Sequence, residues 1–282
     1  EEICMSNDKL VLKIEAISRK MRQDVVEMGY IAGERGAHFG PALSSIEIVA
    51  ALYFEVMNHN PENPRWAQRD RFVQSKGHAC LSYYSALIES GYISKEQMMT
   101  FKGDESLLAG HPSRNLSLGI EVSSGSLGNG FAVACGMAKA AKIKKENHQV
   151  YCLVGDGECN EGLIWEAAMN ASKNKLDNLI AIVDRNGVQL AGKTKDIMDF
   201  DLVSAWRSFG WDVFELKHGN NVEEVLSALN AMKNSDVQKP HVIIANTVKG
   251  KGISFMEDSL DWHARSMNAE QYEIARKELQ QA

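Results

Sequence analysis

Hydrophobic residues near the start of the chain recur at the spacing of one helix face. Steps of three and four residues place such side chains on the same side of an α-helix. Over residues 10–28 the apolar positions are Leu10, Ile14, Ile17, Met21, Val25 and Met28. We therefore predict a helix that packs against the core over residues 10–28.

The same spacing predicts two more helices in the first third of the chain. One covers residues 44–57, with Ser44 or Ser45 as its N-terminal cap, and the other covers residues 79–90 and ends at Gly91. Residues 58–64 between them are expected to form a loop. Residues 102–125 are rich in Gly, Pro and Ser and show little periodicity. Such a long irregular segment is more often functional than idle.

After Gly125 the pattern changes to short apolar runs that alternate with helical patterns. The runs predict strands over residues 150–154, 179–184, 213–216 and 241–246, and the patterns around them predict helices over residues 127–145, 161–173, 202–209 and 222–232. Alternating strands and helices of this length form a parallel sheet with helices on both faces. We therefore predict an α/β fold with a doubly wound, mostly parallel sheet. Because no repeat or linker interrupts the chain, we expect a single domain over residues 1–282.

Composition and charge disfavour several classes of protein. The chain has 282 residues, 44% of them apolar, and this length buries enough surface to fold without disulfides or structural metals. Its 31 basic and 37 acidic residues give a net charge of −6, which disfavours a nucleic-acid or anionic-membrane surface. The five cysteines form no C-x-x-C pair. No apolar run approaches the ~18–20 residues of a membrane span. Glu1 and Glu2 stand where a signal peptide would carry basic residues. We therefore expect a cytoplasmic protein.

The carboxyl ends of two predicted strands carry oxygen ligands. Gly155-Asp156-Gly157 follows one strand, and Asn186 and Val188 follow the next. Ligands bind at this edge of a parallel sheet, and carboxylate, amide and carbonyl oxygens suit Mg²⁺. A Gly-Asp-Gly sequence alone is commonly only a turn. Its pairing with Asn186, thirty positions after Asp156 (186 − 156 = 30), favours a metal site made by Asp156, Asn186 and Val188.

A glycine-rich segment, Gly125-Ser-Leu-Gly-Asn-Gly130, marks the start of the helix predicted over residues 127–145. Unpaired N–H groups and the positive end of a helix bind phosphate or diphosphate groups. Close packing of this helix through its glycines explains the pattern equally well. Both interpretations stay open on this motif alone.

Five blocks of the sequence form a further set of motifs. The run GDGECNEGLIWEAA at residues 155–168, followed by Asp184-Arg185-Asn186, is similar to the thiamine diphosphate motif of the transketolase family. Four more blocks occur in the family's order: HFGPALS at residues 38–44, WAQRDRFVQSKGHA at residues 66–79, GHP at residues 110–112 and GSLG at residues 125–128. The resemblance spans residues 38 to about 263. The related synthase of 1-deoxyxylulose phosphate shares several blocks, but the arrangement is closer to transketolase.

Transketolases have three consecutive domains, and the resemblance covers the first, which binds the diphosphate. It implies the N-terminal subunit of a split transketolase. The pyrimidine-binding domain would belong to a separate C-terminal subunit, in an assembly of two copies of each. The implied cofactors are thiamine diphosphate and Mg²⁺ or Ca²⁺. The implied reaction transfers a two-carbon ketol unit from a ketose or ketose phosphate to an aldose or aldose phosphate.

The resemblance also implies roles for individual residues. The side chains of Asp156 and Asn186 and the carbonyl of Val188 would bind the metal ion. The residues implied in catalysis are His38, His111, His263 and Glu161. The residues implied in cofactor binding are His78, Gly125, Ser126, Leu127, Gly157, Glu158, Glu166, Asn186 and His263.

Some motif positions carry a second interpretation or depart from the family. Glu161 and Glu166 match glutamates near the border with the partner, but acids at the start of a helix are also favoured by the helix dipole. The departures are Phe39, Asn129 and Ala264, the last of which follows His263 where glycine is usual and bears on the orientation of that histidine. Four histidines outside the motifs are expected to be structural: His59, His148, His218 and His241.

Two alternatives remain. The alpha subunit of a 2-oxoacid dehydrogenase shares the Gly-Asp-Gly and Asn site and a two-chain organisation, but it does not explain the blocks at residues 66–79 and 110–112. A non-catalytic subunit for cofactor binding or assembly is the other alternative. Retention of the metal oxygens and the motif histidines argues against such a loss of catalysis.

Overall fold

The computed structural model describes residues 2–281, with side chains for residues 8–281. Its centre is a sheet of strands β1 (Arg71–Gln74), β2 (Val150–Gly155), β3 (Leu179–Arg185), β4 (Asp212–Leu216) and β5 (His241–Asn246). The spatial order is β1-β2-β3-β5-β4, and every neighbouring pair is parallel. The predicted α/β class and parallel sheet are confirmed, and the four predicted strands match β2 to β5 within one residue at each end.

The sequence prediction missed β1. This strand has only two apolar residues, Phe72 and Val73, between the polar Arg71 and Gln74. Its backbone pairs with β2, so its position depends on a strand that lies far away in the sequence.

Helices surround the sheet. The predicted helices of the second half are confirmed with small shifts of their ends, whereas α1 is longer than predicted and α2, α5, α8 and α11 were not predicted. The helices are α1 (Glu2–Ile31), α2 (Phe39–Leu43), α3 (Ile46–Ala51), α4 (Cys80–Glu89), α5 (Lys95–Met98), α6 (Asn129–Lys144), α7 (Gly162–Lys173), α8 (Thr194–Ile197), α9 (Leu202–Ser208), α10 (Val222–Lys233) and α11 (Ala269–Gln281). Within residues 2–281, none of these helices combines the length and the apolar character needed to cross a membrane.

The region from Ser44 to Val56 differs from its prediction in two ways. The helix α3 continues as a π-helical turn over Leu52–Val56. Ser45 precedes α3 but makes no capping hydrogen bond with its side chain, and its hydroxyl bonds to the Ala42 carbonyl at 3.1 Å. The predicted serine cap is therefore wrong. As predicted, residues 102–125 are irregular, apart from one 3₁₀ turn at Leu116–Leu118.

Apolar side chains pack on both faces of the sheet. Along β2, Tyr151 and Leu153 point into a cluster formed with α1, α3, α4 and α10. Cys152 and Val154 point the other way, into a cluster formed with α6, α7 and α9. This alternation follows from the period of two in a strand and explains why β2 is apolar throughout.

The carboxyl ends of the central strands meet at one edge. Gly155 pairs with Asp184 in the register of β2 and β3, and Arg185 pairs with Asn246 of β5. The loops that follow these three strands therefore start side by side.

One fully buried carboxylate, that of Asp184, ties this edge together. It accepts hydrogen bonds from the Lys76 ammonium after β1, the Ser44 hydroxyl at 2.6 Å, the Asn186 amide at 3.0 Å and the Thr247 hydroxyl after β5. Burial alone would raise the pKa of Asp184, but the Lys76 ammonium and these hydrogen bonds lower it below its usual value.

We expect Asp184→Ala to lower the free energy of unfolding by about 3–5 kcal/mol, because it leaves the Lys76 ammonium buried without its counter-ion. Urea unfolding of the natural and variant chains measures the difference. The control is Glu273→Gln, which removes an exposed partner of Arg276 and should change stability by less than about 1 kcal/mol. Equal stability of the Asp184 variant and the natural chain would contradict this role.

Candidate functional site

A cavity of about 330 Å³ opens at the carboxyl edge of β2 and β3. Pro41, Lys76, Gly155, Gln189 and Leu190 form part of its wall. The rest of the wall consists of residues that the sequence implied: His38, His78, Gly125, Leu127, Asp156, Gly157, Glu158, Asn186, Val188 and His263. Segments that lie far apart in the sequence thus contribute to one site.

Four histidines form a cluster at this cavity. His38 is central, with ring centroids 5.4 Å from His78, 5.8 Å from His111 and 5.6 Å from His263. The rings of His78 and His263 stack at 5.3 Å. His38 directly precedes α2, and His78 lies in the turn before α4, so two helix starts hold these rings in place.

The surroundings of the cluster favour neutral imidazoles. Burial, reinforced by His111, Lys102 and Lys249, lowers the pKa of His38 to about 4. Burial lowers the pKa of His263 to about 3, with Lys249 acting in the same direction. Burial also lowers the pKa of His78 and of the more exposed His111. Each ring therefore offers one hydrogen-bond donor and one acceptor near neutral pH.

The three predicted metal oxygens lie at the cavity wall, where each accepts a hydrogen bond within the chain. The Asp156 carboxylate accepts from the backbone N–H groups of Gly157 and Gly187, both at 2.8 Å. The Asn186 amide oxygen accepts from the N–H of Val188 at 3.2 Å. The Val188 carbonyl accepts from the Lys249 ammonium at 3.0 Å.

These oxygens fit a hard divalent cation. One carboxylate, one amide oxygen and one carbonyl are the ligand types that Mg²⁺ and Ca²⁺ prefer. Burial and the charge of Asp184 raise the pKa of Asp156, whereas a bound cation would favour its ionised form. Among the described side chains, no group of three or more His, Cys, Asp and Glu residues could hold a metal ion.

The structure supports the packing interpretation for one glycine of the glycine-rich segment, and the phosphate interpretation stays a prediction. A Cβ added at Gly130 would come within 2.6 Å of the Ser75 Cα, so this glycine serves close packing of α6. A Cβ at Gly125 would meet only the His111 ring, at 3.8 Å. Gly125 is therefore not required for packing within the chain, and it leaves room at the cavity wall for a ligand group.

Glu158 has a different setting from the other residues of the wall. Its buried carboxylate accepts hydrogen bonds from the Ser75 hydroxyl and from the N–H groups of Gly128 at 2.8 Å and Gly155 at 3.0 Å. It thereby joins the ends of β1 and β2 to the start of α6. Its direct effect in this structure is to position the backbone around the cavity.

Three residues implied by the sequence do not line the cavity. Unlike His111, they also make no contact with the ring of His38. Ser126 is exposed beside Gly125. Glu161 precedes α7 and Glu166 lies on it, and both are exposed. The histidines outside the motifs have other partners: His59 contacts Tyr53 and Tyr92, His148 lies near Glu146, His218 bonds to Glu224 and His241 bonds to Asp212.

Two buried lysines are the main residues that sequence reasoning missed. Lys76 pairs with Asp184 and donates to the Pro41 carbonyl at 2.8 Å. Lys249 lies between Val188 and His263, and burial lowers its pKa to about 8. Lys76 occurs inside the block at residues 66–79, so its place in a motif was the only available signal, whereas Lys249 lies outside the five blocks.

Comparison with known proteins matches residues 15–281 to the family model described as transketolase, thiamine diphosphate binding domain. The chain is 42% identical over 267 residues to one subunit of the apulose-4-phosphate transketolase of Phocaeicola vulgatus, covering 94% of this chain and 93% of that protein. It is 41% identical over 244 residues to the 6-deoxy-6-sulfo-D-fructose transketolase subunit SqwG of a Clostridium species, covering 86% of this chain and 88% of that protein.

The solved structures that resemble the chain include a longer protein. The fold is similar to that of transketolase from Campylobacter jejuni, with a TM-score of 0.86 and 33% identity over 96% of this chain. The match covers 43% of that protein. The chain therefore spans less than half of the length of this structural relative.

We expect His38 to remain neutral between pH 8 and pH 5, because its pKa of about 4 lies below this range. An NMR titration of the histidine side chains, with His38→Gln to assign the signal, measures this. In the unfolded chain the same group takes up a proton near pH 6.5, so the folded chain loses stability as the pH falls from 7 to 4.

The loss of stability between pH 7 and pH 5, measured by urea unfolding, should be smaller in His38→Gln than in the natural chain. A His38 signal that titrates near pH 6.5 would contradict a neutral cluster.

Proposed function

Because the chain belongs to the transketolase family, through the thiamine diphosphate binding domain, we propose that it is the N-terminal subunit of a two-chain transketolase. The enzyme transfers a two-carbon ketol unit from a ketose to an aldose with thiamine diphosphate and a divalent metal ion. Relatives that match this chain over most of their own length are named transketolase subunits. Their names favour ketol transfer over the 2-oxoacid dehydrogenase and non-catalytic alternatives.

One observation supports this function most strongly. A cluster of neutral imidazoles around His38 lies beside the oxygens of Asp156 and Asn186 in a single cavity. Diphosphate and metal binding require the oxygens and backbone N–H groups, and ketol transfer requires groups that exchange protons with sugar oxygens. Both sets line the same wall.

In this proposal the metal ion and the diphosphate would bind at the ends of β2 and β3. Asp156, Asn186 and the Val188 carbonyl would hold Mg²⁺ or Ca²⁺, and the backbone at Gly125, Leu127 and Gly157 would bind the diphosphate. Thiamine diphosphate supplies the electron sink for cleavage of the ketose carbon–carbon bond. Glu158 acts by holding the N–H groups of Gly128 and Gly155 in place.

The histidines supply orientation and proton transfer. A neutral imidazole donates one hydrogen bond and accepts another, so His38, His111 and His263 can bind the hydroxyl and carbonyl oxygens of the sugar. Their low pKa values keep these rings neutral near pH 7, so each retains one nitrogen that donates and one that accepts a hydrogen bond. His78 lies deeper beside Lys76 and is assigned to the cofactor.

A partner chain would complete the site. Val133 on α6 and Met169 on α7 are 43% and 50% exposed, and α6 packs against α7. Glu166 lies three residues before Met169, on the same face of α7. We propose that this surface, formed by Val133, Glu166 and Met169, contacts a C-terminal subunit with the pyrimidine-binding domain, in an assembly of two copies of each chain.

The substrates are proposed from the relatives. Their names include a sugar phosphate and a sulfonated sugar, and both carry an anionic group. We propose that this chain acts on ketose and aldose phosphates or similar anionic sugars.

Location and domain organisation remain predictions. The four cysteines with described side chains, Cys80, Cys135, Cys152 and Cys159, are buried and unpaired, which is consistent with a reducing cytoplasm. Both core clusters pack against the same sheet, which supports a single domain over residues 1–282.

We expect Asp156→Ala to abolish Mg²⁺-dependent binding of thiamine diphosphate, because it removes the only carboxylate among the proposed metal ligands. Thermal unfolding with and without cofactor measures this in the assembled enzyme. At 100 times the dissociation constant the natural protein should gain about 2.7 kcal/mol, and the variant should gain none. The exposed Asp236→Ala is the control and should keep the full gain. Undiminished binding by Asp156→Ala, with fold verified without ligand, would refute the metal assignment.

We expect Met169→Glu and Val133→Asp to weaken association with the partner subunit, because each buries a charge at the proposed contact. Co-expression with the adjacent reading frame, followed by sedimentation and a ketol-transfer assay, measures assembly and activity. Ile143→Asp is the matched control, since Ile143 is 73% exposed near the far end of α6. Ketol transfer by this chain alone would contradict the two-chain proposal.

A further inference from the structure

Lys249 contacts both a proposed metal ligand, the Val188 carbonyl, and one ring of the histidine cluster, His263. It is fully buried, and its ammonium nitrogen lies 3.0 Å from the Val188 carbonyl oxygen and 2.9 Å from Nδ1 of His263. We propose that Lys249 is a positioning residue that fixes His263 in the tautomer with its proton on Nε2. This inference rests on the proposed function for its significance, because it defines what His263 offers to a bound ligand.

The tautomer follows from the inventory of donors and acceptors. An ammonium group has three N–H donors and no acceptor. When Lys249 donates to Nδ1 of His263, that nitrogen must present a lone pair. A neutral imidazole has only one N–H proton, which is then on Nε2. Among the described residues, Nε2 has no hydrogen-bond partner.

The position of Lys249 is fixed by backbone contacts. The Gly40 N–H donates to the Trp262 carbonyl at 2.9 Å, and the Gly250 N–H donates to the Gly40 carbonyl at 3.1 Å. A Cβ on Gly40 would come within 3.0 Å of Cγ and Cε of Lys249. Gly40, at the start of α2, therefore contacts both the segment that carries Lys249 and the segment that carries His263, and it holds the two close together.

This contact answers the question raised by Ala264. The ring of His263 is held by Lys249 at Nδ1, by the stacked ring of His78 and by a T-shaped contact with the ring of His38. None of these contacts involves residue 264, so the usual glycine is not needed to aim the ring.

The consequence for the reaction is a division of roles among the histidines. With its proton on Nε2, His263 acts first as a hydrogen-bond donor to an oxygen of the cofactor or the sugar. It stabilises negative charge on that oxygen. Acceptance of a proton from the substrate is then left to rings without such a fixed tautomer, of which His38 is the central one.

The test is ¹⁵N NMR of the whole chain labelled at histidine, without cofactor. The groups that face His263 are Lys249, Lys76, His38 and His78. Near neutral pH we expect the natural chain to show a His263 signal, assigned by its loss in His263→Gln, with an unprotonated Nδ1 and a protonated Nε2. A proton on Nδ1 would overturn the proposal without the need for any further variant.

The variant Lys249→Met extends the test. We expect its His263 to show both tautomers, with a shifted Nδ1 signal and protonation at higher pH, because the neighbouring positive charge is gone. Lys251→Met removes a more exposed lysine that pairs with Glu257, and it should leave the His263 signals unchanged. An unchanged Nδ1 signal in Lys249→Met would overturn the proposal.

The same experiment separates this inference from the proposed function. It uses no cofactor and no substrate, so its result does not depend on ketol transfer. Failure of the proposed function would instead appear as an absence of thiamine diphosphate binding in the natural assembled protein. Either idea is therefore refutable while the other stands.

Discussion

The buried carboxylate of Asp184 is the contact on which the geometry of the site depends. It lies at the end of the central strand β3 and binds groups from the ends of β1, α2 and β5. These four segments belong to widely separated parts of the sequence. Because a buried carboxylate requires its cation and its hydrogen bonds, each segment is held at one distance from the others. These contacts also fix the cavity wall, because His38 and His78 lie close in sequence to Ser44 and Lys76, and Asn186 itself bonds to Asp184.

Much of the fold was predictable from local patterns, and the errors occur where a contact from elsewhere decides the structure. The strands β2 to β5 are apolar runs bounded by polar residues, so periodicity identified them. The edge strand β1 has too few apolar residues to be recognised and exists because β2 pairs with it. Ser44 resembles a helix cap, but its hydroxyl binds Asp184, 140 positions away. No local rule could anticipate that choice.

The motif histidines of the site were predictable from the sequence, whereas the roles of its buried charged residues were not. Motif resemblance identified His38, His78, His111 and His263, and the structure brings them together. It did not reveal that Lys249 lies between the metal oxygens and His263, because a lysine in a loop is ordinarily exposed. Nor did it reveal that Glu158 uses its carboxylate to hold backbone N–H groups. Such roles depend on burial, which appears only when the chain is folded.

One cavity wall of this chain thus holds the proposed metal ligands, Gly125 and the imidazoles, and exposed apolar residues lie on α6 and α7. The most direct measurement is an anomalous difference map from crystals grown with thiamine diphosphate and Mn²⁺ in place of Mg²⁺. We predict a peak about 2 Å from the Asp156 carboxylate, the Asn186 amide oxygen and the Val188 carbonyl. A metal peak elsewhere, or bound cofactor with no metal between these oxygens, would contradict it.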